Sequence, residues 1–120
     1  MAREHPGSRG KHFEDVALQF LSRLGYQVAE RNWRCPAGEL DLVAYQADTL
    51  VFIEVRARAA GAPYLPEDTI SLTKQRHVAA AAQAYLDTHT WEGPCRFDVV
   101  AVDIHPTGTT VRLIQDAFTA

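Results

Sequence analysis

The chain has 120 residues, of which 47% are hydrophobic and 22% charged, enough to bury one globular core without staples and unlike a disordered composition. Its formal net charge of −3 and pI near 5.9 argue against a protein that grips nucleic acid by bulk electrostatics alone. No apolar run approaches the roughly 20 residues of a membrane span, and the opening MAREHPGSRGKHFED has positive charge with no apolar segment behind it, so a cytoplasmic, membrane-free protein is expected.

In chain order, residues 1–10 are polar, with Pro6, Gly7, Ser8 and Gly10, and read as a mobile N-terminal tail; residues 11–120 read as a single domain. From Lys11 to Leu24 the pattern turns helical: Phe13, Ala17, Phe20, Leu21 and Leu24 share a face, and Gly25 is placed to stop the helix. At about 100° per residue, Glu14 falls inside the apolar arc of that helix. A carboxylate there is either a site residue or a glutamate favoured by the helix N-terminus.

Tyr26 to Trp33 reads as a strand and Arg34 to Gly38 (RCPAG) as a turn. Next comes Gly38 to Arg58, GELDLVAYQADTLVFIEVRAR, two apolar runs about a polar turn and therefore a β-hairpin. Alternation puts Glu39, Asp41 and Val43 on one face of the first run, with Leu40, Leu42 and Ala44 on the other. In the second run, Leu50, Phe52, Glu54, Arg56 and Arg58 share a face. If the turn is symmetric about Ala47 and Asp48, Asp41 lies across from Glu54 and Glu39 across from Arg56. Opposed side chains have Cβ atoms roughly 4.5–5.5 Å apart, and like charges so placed call for a cation between them or a protonated partner.

Ala57 to Ile70 reads as a long loop with Gly61, Pro63 and Pro66. A second helix is expected from Leu72 to Thr88, capped by Ser71, with an alanine-rich stretch suited to packing on a sheet. Arg96 to Asp103 and Thr110 to Gln115 read as the last two strands, with Arg96 and Asp98 spaced to pair. The order α-β-β-β-α-β-β gives an α/β domain, a mixed β-sheet flanked by helices.

Hard divalent cations take oxygen ligands, and Mg²⁺ binds through one or two carboxylates while keeping waters. Asp41 and Glu54 can supply these, with Glu14 as a third carboxylate, directly or through water. Arg56, one pleat from Glu54, can hold a scissile phosphate or stabilise developing charge. Spacing alone fits a phosphodiester hydrolysis site and a surface salt-bridge network such as Glu39–Arg56 equally well. Arg58 can reach a phosphate from the same face, and Lys74 and Gln75 occupy the first turn of the second helix, where anions bind. Arg31, Trp33 and Arg34 could together form a basic-aromatic patch for unpaired bases, against which stands a core role for Trp33. Six of the twelve Lys and Arg residues (Arg31, Arg34, Arg56, Arg58, Lys74, Arg76) lie in or beside the elements around the hairpin. Cys35 and Cys95 have no redox or metal spacing and read as free thiols. The five histidines carry no ligand pattern.

The segments RNWRCPAGELDLVA, VFIEVRAR, Lys74 and RFDVVAV, taken in order, are similar to the YraN family of small bacterial proteins, an uncharacterised family with an expected restriction-endonuclease-like fold. That resemblance implies a nuclease-like site. The D…E-x-K pattern of restriction-endonuclease-like nucleases, archaeal Holliday junction resolvases among them, maps onto Asp41, Glu54 and Arg56, and Glu14 matches the helix glutamate of the resolvase branch. It further implies Mg²⁺ or Mn²⁺ as cofactor, held by Asp41, Glu54 and Glu14; branched or otherwise non-standard DNA as partner, contacted by Arg56, Arg58, Lys74, Gln75 and Arg34; and a homodimer as one possible assembly. Arginine at position 56 departs from the lysine of the pattern, because a guanidinium stays protonated and cannot serve as a general base. That departure keeps open a nucleic-acid-binding module with a degenerate, non-cleaving site, and an interaction protein whose carboxylates are structural.

Overall fold

A computed structural model describes the backbone of residues 6–119 and the side chains of residues 12–119. Helix α1 (Pro6–Arg23) leads into strands β1 (Gln27–Cys35), β2 (Gly38–Gln46) and β3 (Thr49–Ala59); a 3-10 turn (Pro66–Thr69) and helix α2 (Leu72–His89) follow, then β4 (Cys95–His105) and β5 (Gly108–Phe118). Helix α1 thus includes residues 6–10 of the expected tail, while residues 1–5 lie outside the described residues. The strands form one sheet in the order β1-β2-β3-β4-β5. All neighbours are antiparallel except β3 and β4. A parallel pair needs a long crossover, and residues 60–94 supply it with α2.

The helices cover opposite faces of the sheet. Ala17 and Leu21 of α1 pack with Leu42, Ala44, Val51, Ile53, Val100 and Val102. Val78, Ala81, Ala82 and Tyr85 of α2 pack with Leu40, Val43, Leu50, Phe52 and Phe97. Burying each large apolar side chain contributes about 1.5–3 kcal/mol, and Ala81 and Ala82 let α2 approach the sheet closely. This α/β architecture, with the Asp41–Glu54 hairpin near the middle of a mixed sheet, is consistent with a restriction-endonuclease-like fold. No described helix is long and apolar enough to cross a membrane.

Local chemistry sets the boundaries. Gly25 adopts φ +87°, and the bonds from Gly25 N–H to Ser22 O (3.1 Å) and from Tyr26 N–H to Leu21 O (3.0 Å) close α1 in a Schellman turn. Ser71 Oγ accepts the Lys74 N–H at 3.1 Å and caps α2 as expected. The turn from β1 to β2 is only Pro36–Ala37, since Cys35 pairs with Gly38; strand pairing overrides the proline and extends β1 beyond Trp33. Gly38 suits the close approach of α2 there, because a Cβ at that position would make a tight contact, 3.1 Å from the His77 carbonyl oxygen. Likewise β3 continues through Ala57–Ala59, expected as loop, because β4 offers it partners as far as Ile104.

Candidate active site

The hairpin register is the symmetric one: Gln46 faces Thr49, Tyr45 faces Leu50, Ala44 faces Val51, Val43 faces Phe52 and Leu42 faces Ile53. Backbone pairing between β2 and β3 stops there, one step short of Asp41 and Glu54. In its place the carboxylates bond across the gap. Asp41 Oδ2 accepts the Val55 N–H at 2.9 Å, and Glu54 Oε2 faces the Asp41 N–H at a long 3.4 Å. The expected Asp41–Glu54 juxtaposition is therefore present, at a point where the sheet splays.

The neighbouring strand β1 is irregular as well, with a register shift between Val28 and Glu30. Asn32 takes a left-handed φ of +51°, which breaks the alternation of faces. Arg31 reaches α1, pairing with Asp15 at 2.7 Å, whereas Trp33, two residues on, packs edge-on against Tyr85 of α2. Across the ladder, Leu42 joins the α1 core and Leu40 the α2 core. The sequence expectation that Leu40 shares a face with Leu42 and Ala44 is thereby corrected. So is the basic-aromatic patch: Arg31 and Trp33 point to opposite faces, and Arg34 is a solvent-exposed partner of Glu39 at 3.5 Å. Glu39 accordingly faces Arg34 instead of the expected Arg56.

Glu54 is 1% exposed, and burial, reinforced by the charge of Asp41, pushes its carboxyl up to about 7. Burial also raises Asp41, against the Val55 N–H bond and the charges of Lys74 and Arg56. Glu14 on α1 is raised by burial and then by Asp41, with Asn32 and Arg31 pulling the other way. All three carboxyls thus resist ionisation. Their polar atoms are also incompletely satisfied: Glu54 Oε1, Glu14 Oε2 and Arg56 Nε are buried without a hydrogen-bond partner among the described residues. Folded proteins rarely leave such atoms orphaned, and each exception calls for a cause such as an absent ion or ligand.

The other expected site residues separate into two groups. Lys74 comes to the site, its Nζ 3.5 Å from Glu54 Oε1; the sequence places it at a phosphate, and only the packing of α2 on the sheet reveals its partner. Arg58 and Gln75, expected to contact DNA, are bonded within the protein and away from the site carboxylates. Arg58 Nε pairs with Asp103 at 2.8 Å while its Nη1 donates to the carbonyls of Ala62 (3.0 Å) and Tyr64. Gln75 Nε2 donates to the Ile70 carbonyl at 3.1 Å. Both pin the segment between β3 and α2, helped by Arg112, which bridges Asp103 and Glu67.

The residues present fit a hard divalent cation through two carboxylates, Asp41 and Glu54, the number Mg²⁺ ordinarily takes from protein. Among the described residues, no three His, Cys, Asp or Glu side chains are grouped closely enough to hold a metal. Glu14 stands outside such a grouping and bears on Asp41 as a neighbouring charge. A groove of about 730 Å³ between α1 and β1, lined by Leu18, Tyr26 and Val28 among others, contains none of these carboxylates and has no comparable unsatisfied charge.

Comparison with known proteins agrees over most of the chain. A family model described as "Uncharacterised protein family UPF0102" matches residues 13–102. Similar curated proteins, each named "UPF0102 protein", include one from Chlorobium chlorochromatii, 40% identical over 115 residues and covering 91% of this chain and 89% of its own. One from Syntrophus aciditrophicus is 39% identical over 110 residues, with 91% and 87% covered. One from Pseudomonas putida (strain F1) is 41% identical over 121 residues, with 98% of both covered.

Proposed function

This chain belongs to the uncharacterised protein family UPF0102, the YraN family, and we propose that it is a metal-dependent nuclease-like protein acting on branched or otherwise non-standard DNA. The observation that carries this reading is the Asp41–Glu54 gap, where a buried and a half-buried carboxylate, both with raised pKa values, replace the strand ladder and leave polar atoms unpaired. Asp41 and Glu54 would hold Mg²⁺ or Mn²⁺. When bound, such an ion polarises a phosphoryl oxygen and lowers the pKa of its water.

The protein's own groups then divide the work. Glu14 adds negative potential beside Asp41, favouring a cation. Arg56 lies on the strand face of Glu54, and no salt bridge claims it among the described residues. Its guanidinium suits a phosphate fork, and because it stays charged its role is electrostatic and never that of a base. The unpaired atoms weigh against purely structural carboxylates, whose oxygens would be expected to find hydrogen-bond donors.

Divalent-dependent cleavage of four-way junctions, flaps and single strands tests the proposal. Arg56→Ala is expected to lower cleavage about 10²–10³-fold, the usual cost of removing one charge-stabilising donor, with Arg56→Lys within about tenfold of wild type. If wild type and Arg56→Lys both bind junctions and neither cuts, the protein is a binding module with a degenerate site.

A further inference from the structure

The ion pairs of this protein are of two kinds. Arg96 meets Asp98 at 2.9 Å and Arg58 meets Asp103 at 2.8 Å, with the guanidinium side chains only 21% and 16% exposed. Lys74 and Glu54 differ. Their separation of 3.5 Å lies beyond hydrogen-bond range, Glu54 Oε1 has no hydrogen-bond partner, and the lysine side chain is 37% exposed above a carboxylate that is 2% exposed. The Lys74 backbone is fixed, since its N–H is held by the Ser71 cap at 3.1 Å. Only the side chain is free to move, on a flexible four-carbon stem.

We propose that Lys74 is an exchangeable counter-ion: its ammonium neutralises Glu54 in the free protein and yields that carboxylate to an incoming divalent cation. The proposal rests on the metal-site reading above. It assigns Lys74 a positioning role in which it holds the acidic gap together until a stronger cation arrives, and then leaves a free ammonium at the mouth of the site. Arg56 also acts on Glu54 by its charge, but among the described residues only Lys74 forms an ion pair with it.

Titration of the whole protein with Mn²⁺ by calorimetry tests this. Removing a unit positive charge beside a ligand carboxylate, with allowance for its partial exposure, is expected to tighten Mn²⁺ binding in Lys74→Met by about 5- to 50-fold. Lys74→Arg, which keeps the charge, should stay within about threefold of wild type. In parallel, the Lys74 Nζ and Cε resonances of wild type should shift along the same saturation curve when diamagnetic Mg²⁺ is added. Equal or weaker Mn²⁺ binding in Lys74→Met, or Lys74 resonances that ignore Mg²⁺ while the site fills, overturns the exchange and leaves the metal site standing. Absence of Mn²⁺ binding in both proteins overturns the metal site itself, and the exchange with it.

Discussion

At pH 8 without divalent metal, Glu54→Gln is expected to be more stable than wild type, by on the order of 2 kcal/mol, and to melt several degrees higher. The cause is the buried carboxyl. Its folded pKa of about 7 stands above its ordinary value of 4.5, so the folded protein binds this proton more tightly than the unfolded chain does. The stability it contributes is therefore complete below about pH 4.5 and is lost as pH rises through 7. Wild type should lose stability across that window relative to Glu54→Gln, and the two proteins should converge near pH 5. Glutamine preserves the shape and an acceptor for the Asp41 N–H, and it relieves Asp41 of a like charge. Glu67 and Asp103, both lowered chiefly by hydrogen bonds from arginines, stay ionised across this window and drop out of the comparison. Thermal melts of the two proteins from pH 5 to 8 in chelator check the result. A variant less stable than wild type at pH 8 would mean that Glu54 is a structural carboxylate.

Asp98→Ala should do the opposite, costing about 3–5 kcal/mol and lowering the melting temperature by roughly 10 °C or more. Asp98 is fully buried and fully satisfied. Its Oδ2 accepts from the Tyr26 hydroxyl (3.1 Å) and Arg96 Nη2 (3.2 Å), and its Oδ1 from Arg96 Nε (2.9 Å) and the Asp116 N–H (2.9 Å). That last bond closes an irregularity in the β4–β5 ladder, where pairing shifts between Phe97 and Val99 and Asp116 takes a left-handed φ of +53°. Alanine would leave the Arg96 charge and the Asp116 amide without their partner. Denaturant unfolding measures the loss, and a cost below about 1 kcal/mol would contradict this assignment.

Together these two residues separate structure from site. Each carboxylate stands where a strand ladder is interrupted and substitutes for a missing backbone partner. Asp98 is neutralised by its own arginine and has every oxygen bonded, so it holds the fold together. Asp41 and Glu54 repel each other, have raised pKa values, and leave Glu54 Oε1 and Arg56 Nε unpaired. The price of this arrangement in stability is the kind that functional sites carry, in keeping with the function proposed above.

Much of this was legible in the sequence because it follows from short-range rules. The turn at Ala47–Asp48 fixed the hairpin register, which placed Asp41 beside Glu54, and Ser71 and Gly25 marked their helix ends. The pairing of Arg96 with Asp98 followed from spacing on one strand. What could not be read depended on contacts between distant elements. The left-handed Asn32 has no signature in RNW, yet it divides Arg31 from Trp33. Arg58 alternates onto the site face as expected, but Asp103, forty-five positions away, and the carbonyls of Ala62 and Tyr64 claim it. Lys74 reads as an anion contact in a first helical turn, and its pairing with Glu54 depends on how α2 packs on the sheet. Glu14 was correctly directed toward the sheet, though helix periodicity gives direction without depth, and it stops short of a shared ligand set.

The central claim, that Asp41 and Glu54 form a cation site, is tested most directly by titrating the purified protein with Mn²⁺ in a calorimeter. Wild type should bind one ion per chain, and Glu54→Gln, although folded and more stable, should bind at least tenfold more weakly. No binding by wild type, or equal binding by the variant, would contradict the account.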